Sequence, residues 1–231
     1  MTTIAYNLQA VRTQIAVAAA SAGRAVENIR LLAVSKTFPD GAIRSAYQAG
    51  QICFAESYLQ EALAKMARLR DLPIEWHFIG PVQSNKTRDI AEQFTWVHSV
   101  DRLKIAERLS VQRPVHLSPL QLCLQVNISN EDSKSGVDIA DTSVLAHAIA
   151  QLPNVKLRGL MAVPAPSEDM SEQRVAFSRL RMLFDQLKAE GLPLDTLSMG
   201  MSHDFEAAIY EGATIIRIGS AIFGNRIYKE G

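Results

Sequence analysis

Eight short apolar segments, each followed by a stretch with helical periodicity, constrain the fold of this chain more than any other feature of its sequence. Leu31 to Val34, Gln51 to Phe54, Glu75 to Ile79, Thr95 to His98, Gln121 to Asn127, Lys156 to Met161, Asp195 to Ser198 and Thr214 to Ile218 read as strands. Ser57 to Leu69 and Val175 to Lys188 are examples of the helices between them. Eight parallel strands joined by helices can close into a barrel, although the alternation by itself also suits an open doubly wound sheet. An amphipathic helix from about Ile4 to Ala22 precedes the first strand. With 231 residues, 48% of them hydrophobic, the chain can bury one sizeable core. We therefore read residues 1–231 as a single α/β domain, a TIM (β/α)8 barrel with an extra N-terminal helix.

Charge excludes some partners. Lys plus Arg and Asp plus Glu both number 24, so no net field attracts nucleic acid or an anionic membrane, and any anion site must be local. Cys53 and Cys123 lie 70 positions apart, without the spacing of a zinc site, and read as buried thiols in a reducing compartment. The first 25 residues alternate polar and apolar positions instead of forming a signal-peptide core, and no apolar run approaches the roughly 20 residues of a membrane span. A cytoplasmic location is expected.

Three stretches carry chemistry. In LLAVSKTFPD, Lys36 stands just beyond a buried strand, where a parallel barrel keeps its reactive groups. A lysine that attacks an aldehyde must be neutral, so it needs burial or cationic neighbours to lower a free pKa of about 10.4; otherwise it is a snorkelling surface lysine. In the segment from Ser198 to Arg226, Met199, Gly200 and Ser202 follow the seventh strand, and Gly219 and Ser220 follow the eighth. Two small-residue loops at these positions are the usual phosphate seat of a barrel, through backbone amides and a hydroxyl, and Ser202 is placed to cap a helix. The alternative is ordinary turn chemistry. Arg217 alternates with Ile216 and Ile218 and so points to the opposite face of the last strand, either toward a cofactor's ring nitrogen or into an ion pair at the mouth. In EWHFIGPVQSNKTRDI, His77 lies within a strand as a hydrogen-bonded core histidine or an acid or base, and Asn85 and Lys86 sit on a mouth loop where they can contact a ligand or a substrate phosphate. Asp132, Lys134 and Gly136 form another mouth loop, Lys134 being a second amine near a ligand or a solvated side chain.

Together LLAVSKT, HFIGPVQSNKTR, GLMAVPAP, SMGMS and RIGSAIFGNR resemble the bacterial pyridoxal phosphate homeostasis protein family over nearly the whole chain. That family is similar to the barrel domain of alanine racemase. The resemblance implies a fold-type III site for pyridoxal 5'-phosphate (PLP), with Lys36 as the internal aldimine. It also implies phosphate contacts from the Ser198 to Ser202 loop and from Gly219 and Ser220, with Arg217 near the pyridine nitrogen. Ser57 and His77 complete the expected cofactor-contacting set. The chain departs from the family in FAES for FGEN, with Ala55 for glycine and Ser57 for asparagine. His203 stands where aspartate is common, and Ser220 replaces threonine but keeps its hydroxyl.

The function implied is intracellular PLP (vitamin B6) homeostasis by a monomeric carrier that supplies PLP-requiring apo-enzymes. The alternatives are a racemase-like enzyme and a Schiff-base aldolase. A two-base racemase takes its second acid or base from another domain, and the chain ends some seven residues beyond Gly224, so no efficient racemase activity is expected. An aldolase has no need of Arg217 or of a phosphate seat.

Overall fold

The computed structural model describes residues 3–129 and 135–224. Its strands are β1 (Arg30–Val34), β2 (Cys53–Glu56), β3 (Glu75–Phe78), β4 (Trp96–Val100), β5 (Leu120–Gln125), β6 (Val155–Met161), β7 (Thr196–Ser198) and β8 (Ile215–Ile218). All neighbours pair in parallel, and β1 pairs with β8, which closes the sheet into the expected eight-stranded barrel and excludes the open doubly wound sheet that the alternation also allowed. Helix α1 (Ile4–Ser21) precedes β1. Helices α2 (Asp40–Gln48), α3 (Leu59–Arg68), α4 (Thr87–Gln93), α5 (Leu103–Gln112), α6 (Ile139–Ala150), α7 (Met170–Ala189) and α8 (Phe205–Tyr210) connect successive strands, and α9 (Ser220–Phe223) follows β8. Among the described residues no helix is long and apolar enough to cross a membrane.

Two apolar layers follow from the period-two alternation of the strands. Leu31, Ala33, Ile216 and Ile218 face the helices and join the large outer core. Leu32, Val34, Ala55, Trp96, Cys123, Met161 and Ile215 fill the barrel interior. Helix α1 buries Leu8, Val11, Ile15, Ala18 and Ala19, one face at helical spacing. Its start is capped by Thr3, whose hydroxyl accepts from the Tyr6 N–H at 3.2 Å. Burial of Leu8, Val11 and Ile15 favours docking by roughly 1.5–3 kcal/mol each.

Strand edges differ from the sequence reading where side chains take over backbone roles. The second strand begins at Cys53 and not Gln51, because the Gln51 side-chain amide bonds the Leu31 and Cys53 carbonyls at 2.9 and 2.8 Å while Ile52 is exposed. At Gly159 any Cβ would lie 1.7 Å from the Thr196 carbonyl oxygen, so a glycine is what lets β6 and β7 approach.

Candidate functional site

A cavity of about 340 Å³ opens at the C-terminal ends of the strands, within the size range of small-molecule sites. Lys36 and Val34 reach it from β1, Ser57 and Ile79 from beyond β2 and β3, and Met161 and Val163 from β6. Met201, Ser202 and His203 come from beyond β7, and Arg217, Gly219 and Ser220 from the end of β8. Of the residues singled out in the sequence, Lys36, Ser57, Ser202, Arg217, Gly219 and Ser220 thus converge on one space.

The turn carrying Lys36 is unusual. Phe38 N–H donates to the Ser35 carbonyl at 3.1 Å, and Thr37 sits at φ +70°. That is the third position of a type II turn, where glycine or asparagine is normal and a β-branched residue is an outlier costing on the order of 1–2 kcal/mol. The next aromatic, Phe38, stacks on Phe223 with ring centroids 5.1 Å apart, so one wall of the cavity ties the start of the barrel to its end.

On the opposite side, the loops after β7 and β8 bring the Ser202 and Ser220 hydroxyls within 3.4 Å of each other. Among the described residues no protein acceptor is bonded by the N–H of Ser202, His203 or Gly219. These donors and hydroxyls form a local seat for an anion without a cluster of basic side chains. A Cβ on Gly219 would come within 3.3 Å of the Val34 carbonyl oxygen, which leaves little room there for a side chain. Ser202 does not cap the following helix, as its position suggested. Asp204 stands at the cap position of α8, and its carboxylate accepts from the Met201 N–H at 2.5 Å. Burial raises the Asp204 carboxyl despite that bond.

Arg217 is the charged floor of the cavity. Its guanidinium donates to Ser198 Oγ at 2.8 Å and to the Ala162 carbonyl at 2.9 Å, and burial lowers its pKa to about 10. Ser198 Oγ also lies 2.8 Å from His98 Nδ1, His98 Nε2 lies 2.8 Å from His77 Nδ1, and His77 Nε2 lies 2.8 Å from Glu75 Oε1. The far end assigns every proton. Burial holds both histidines below the ordinary range, His98 well below it, so both are neutral. Glu75 is held anionic by its bond from His77 and accepts only. His77 therefore carries its proton on Nε2, His98 donates from Nε2, and the Ser198 hydroxyl donates to His98 Nδ1 while accepting from Arg217.

His77 is accordingly a core histidine beneath the cavity and not in its lining, stacked on Trp96 at 5.5 Å. Met199 and Gly200 are likewise outside the lining. Met199 is buried in the outer core, and Gly200, at φ +92°, accepts from the Arg217 N–H at 2.9 Å and so helps place that residue. Asn85 and Lys86 do not line the cavity, and Asp132 and Lys134 lie outside the described residues. The glycine of HFIGP has a local reason: a Cβ on Gly80 would stand 2.1 Å from the Ser57 carbonyl oxygen. Ala55 buries its methyl in the barrel interior. Sequence reasoning missed the apolar walls Phe38, Ile79 and Met161, and it missed His98 and Ser198 as the link behind Arg217. The polar residues of VHSV and TLS, flanked by apolar neighbours in strands, were the available signal.

A family model, named relatives and solved structures all match the chain. Residues 6–226 match the family model described as alanine racemase, N-terminal domain. The chain is 60% identical over 228 residues to a pyridoxal phosphate homeostasis protein of Pseudomonas aeruginosa, covering 99% of this chain and 98% of that one. It is 50% identical over 233 residues to the protein of that name from Escherichia coli K12, covering the whole of both. Among solved structures, PipY of Synechococcus elongatus, solved without PLP, superposes with a TM-score of 0.86 at 41% identity, covering 96% of this chain and 100% of that one. PipY with PLP bound superposes with a TM-score of 0.80 at 41% identity, covering 91% of this chain and 100% of that one. Alanine racemase from Corynebacterium glutamicum shares the fold, with a TM-score of 0.67 at 19% identity over 97% of this chain and 63% of that one.

Proposed function

The chain belongs to the alanine racemase N-terminal domain family and, within it, to the pyridoxal phosphate homeostasis proteins, and on that premise we propose that it binds PLP in the cavity at the barrel mouth, with Lys36 as the point of covalent attachment. The observation that carries the reading is the convergence of Lys36, the Ser202 and Ser220 hydroxyls and the buried Arg217 on one cavity.

The residues present fit the group. PLP offers an aldehyde for a lysine amine, a phosphate and a pyridine nitrogen, and its electron-withdrawing ring is the chemistry it supplies when bound. The Ser202 and Ser220 hydroxyls with the N–H groups of Ser202, His203 and Gly219 suit the phosphate. Arg217 can only donate hydrogen bonds, so beside a ring nitrogen it favours the unprotonated, accepting form. Ser198 and Ala162 hold the guanidinium in orientation from behind. Ile79, Met161 and Val163 supply apolar wall. Such a site retains PLP and also releases it, in keeping with a monomeric carrier that supplies PLP-requiring apo-enzymes inside the cell.

The test is reconstitution of purified protein with PLP, followed by borohydride reduction and peptide mass mapping. Wild type gains a visible absorption band and one reduced adduct on Lys36, whereas Lys36→Ala gains neither. Adducts confined to other lysines in the wild-type protein refute the assignment. Transfer of PLP to an apo-enzyme then tests the carrier role, and turnover of amino acids near the enzyme median of about 10 per second refutes it.

A further inference from the structure

Behind the Lys36 turn, and outside the cavity lining, lies a buried ionic cluster that the proposed binding chemistry does not use. Lys65, almost fully buried on α3, donates from Nζ to Glu56 Oε1 at 2.8 Å, to the Ser35 carbonyl at 2.8 Å and to Glu61, one helical turn before it. Glu56, at the end of β2, is fully buried and also accepts from the Ser35 hydroxyl at 2.7 Å. Glu61 accepts from the Thr37 N–H at 2.6 Å.

The residues on both sides of Lys36 are thus tied to one cluster: Ser35 through its carbonyl and hydroxyl, and Thr37 through its amide. Placing the Glu56 carboxylate and the Lys65 ammonium so far from water is costly, and a hydrophobic replacement is often as stable. The cluster therefore calls for a role besides stability, and its contacts supply one. Thr37 sits at φ +70°, which a β-branched residue does not adopt unaided. The Glu61 carboxylate holds the Thr37 amide in the orientation that this φ produces. Lys65 anchors the Ser35 carbonyl, which is also the acceptor that closes the turn to Phe38.

We propose that Glu61, Lys65 and Glu56 are positioning residues for Lys36, clamping the strained Ser35–Phe38 turn so that the lysine side chain is delivered into the cavity. The proposal rests on reading Lys36 as the attachment residue. The clamp acts through the Ser35 carbonyl and hydroxyl and the Thr37 amide, and its three residues lie outside the cavity lining.

The decisive comparison uses Glu61→Ala, Glu61→Gln, Thr37→Gly and the double variant E61A/T37G. Glu61 is partly exposed, and its removal takes one acceptor from Lys65 while leaving the bonds from Lys65 to Glu56 and the Ser35 carbonyl. Two quantities are measured: hydrogen exchange of the residue 37 amide in cofactor-free protein, and the rate at which added PLP becomes borohydride-trappable on Lys36. Glu61→Ala should speed exchange and slow attachment by about tenfold or more, since misplacement of a reacting group by an ångström costs that much. Glu61→Gln retains an accepting oxygen and should stay near wild type. In E61A/T37G, glycine adopts positive φ without a clamp, so attachment should return toward the Thr37→Gly rate while the amide stays unprotected. General destabilisation by Glu61→Ala would not be repaired in that way. Unchanged attachment in Glu61→Ala, or failure of glycine to rescue it, overturns the proposal. A wild-type protein that takes no PLP on Lys36 refutes the binding reading instead. Exchange at residue 37 then decides the clamp, which falls if Glu61→Ala leaves it unchanged.

Discussion

His98 donates from Nε2 to His77 Nδ1 at 2.8 Å with both rings fully buried, a neutral histidine pair in the middle of a barrel. Unfolding exposes both to water, where each titrates near 6.5. Because their folded values are lowered, the unfolded chain binds more protons once pH drops below about 6.5, and stability falls as pH falls from there toward the folded values. Each histidine contributes a slope of up to about 1.4 kcal/mol per pH unit in that window. Denaturant melts at pH 7.5, 6.5 and 5.5 should show the loss below 6.5, and His98→Ala should reduce the slope by about half.

Removing the Ser198 hydroxyl by Ser198→Ala leaves an Arg217 N–H and His98 Nδ1 buried without their partner. Stability should fall by about 1–3 kcal/mol. Retention of PLP should weaken as well, because the guanidinium loses one of its two anchors; equilibrium dialysis checks the second effect and thermal melts the first.

Ser220→Ala tests the anion seat. Loss of one hydrogen bond to a charged group should weaken PLP binding by about 1.5–3 kcal/mol, while pyridoxal, which lacks the phosphate, should bind both proteins alike. Equal losses for the two ligands would show that Ser220 acts through the fold.

Gly80→Ala places a methyl against the Ser57 carbonyl, where the two loops cannot both stay. It should cost about 1–3 kcal/mol by overpacking and loosen PLP retention because Ser57 lines the cavity. Chemical denaturation and dialysis measure the two effects.

The strands and helices were legible because each strand carries its own apolar run and each helix its own period, whereas closure into a barrel was read from the gathering of chemistry-bearing residues at the strand ends. Lys36, Arg217 and Ser220 were legible for a related reason: strand ends map onto the barrel mouth. His98, Ser198 and the Glu56–Lys65 pair were not, because their meaning lies in contacts across the barrel. Ser198 meets His98 over 100 positions of sequence, and nothing in TLS or VHSV alone says that the two polar side chains share a proton chain. Ser202 illustrates the opposite failure, where a good capping residue yields to Asp204 two positions later once the loop takes its three-dimensional course.

The pairing of β1 with β8, Arg30 opposite Ile215 and Ala33 opposite Ile218, also has a consequence for assembly. It is the sheet contact with the greatest separation along the chain, and it therefore carries the largest loop-closure entropy of any pair in the sheet. Lys36 stands on one side of this seam, and Arg217, Gly219 and Ser220 stand on the other. The cavity therefore exists only in a chain that has closed its barrel, so a ligand bound there selects the finished fold over every partly folded precursor and stabilises it by mass action.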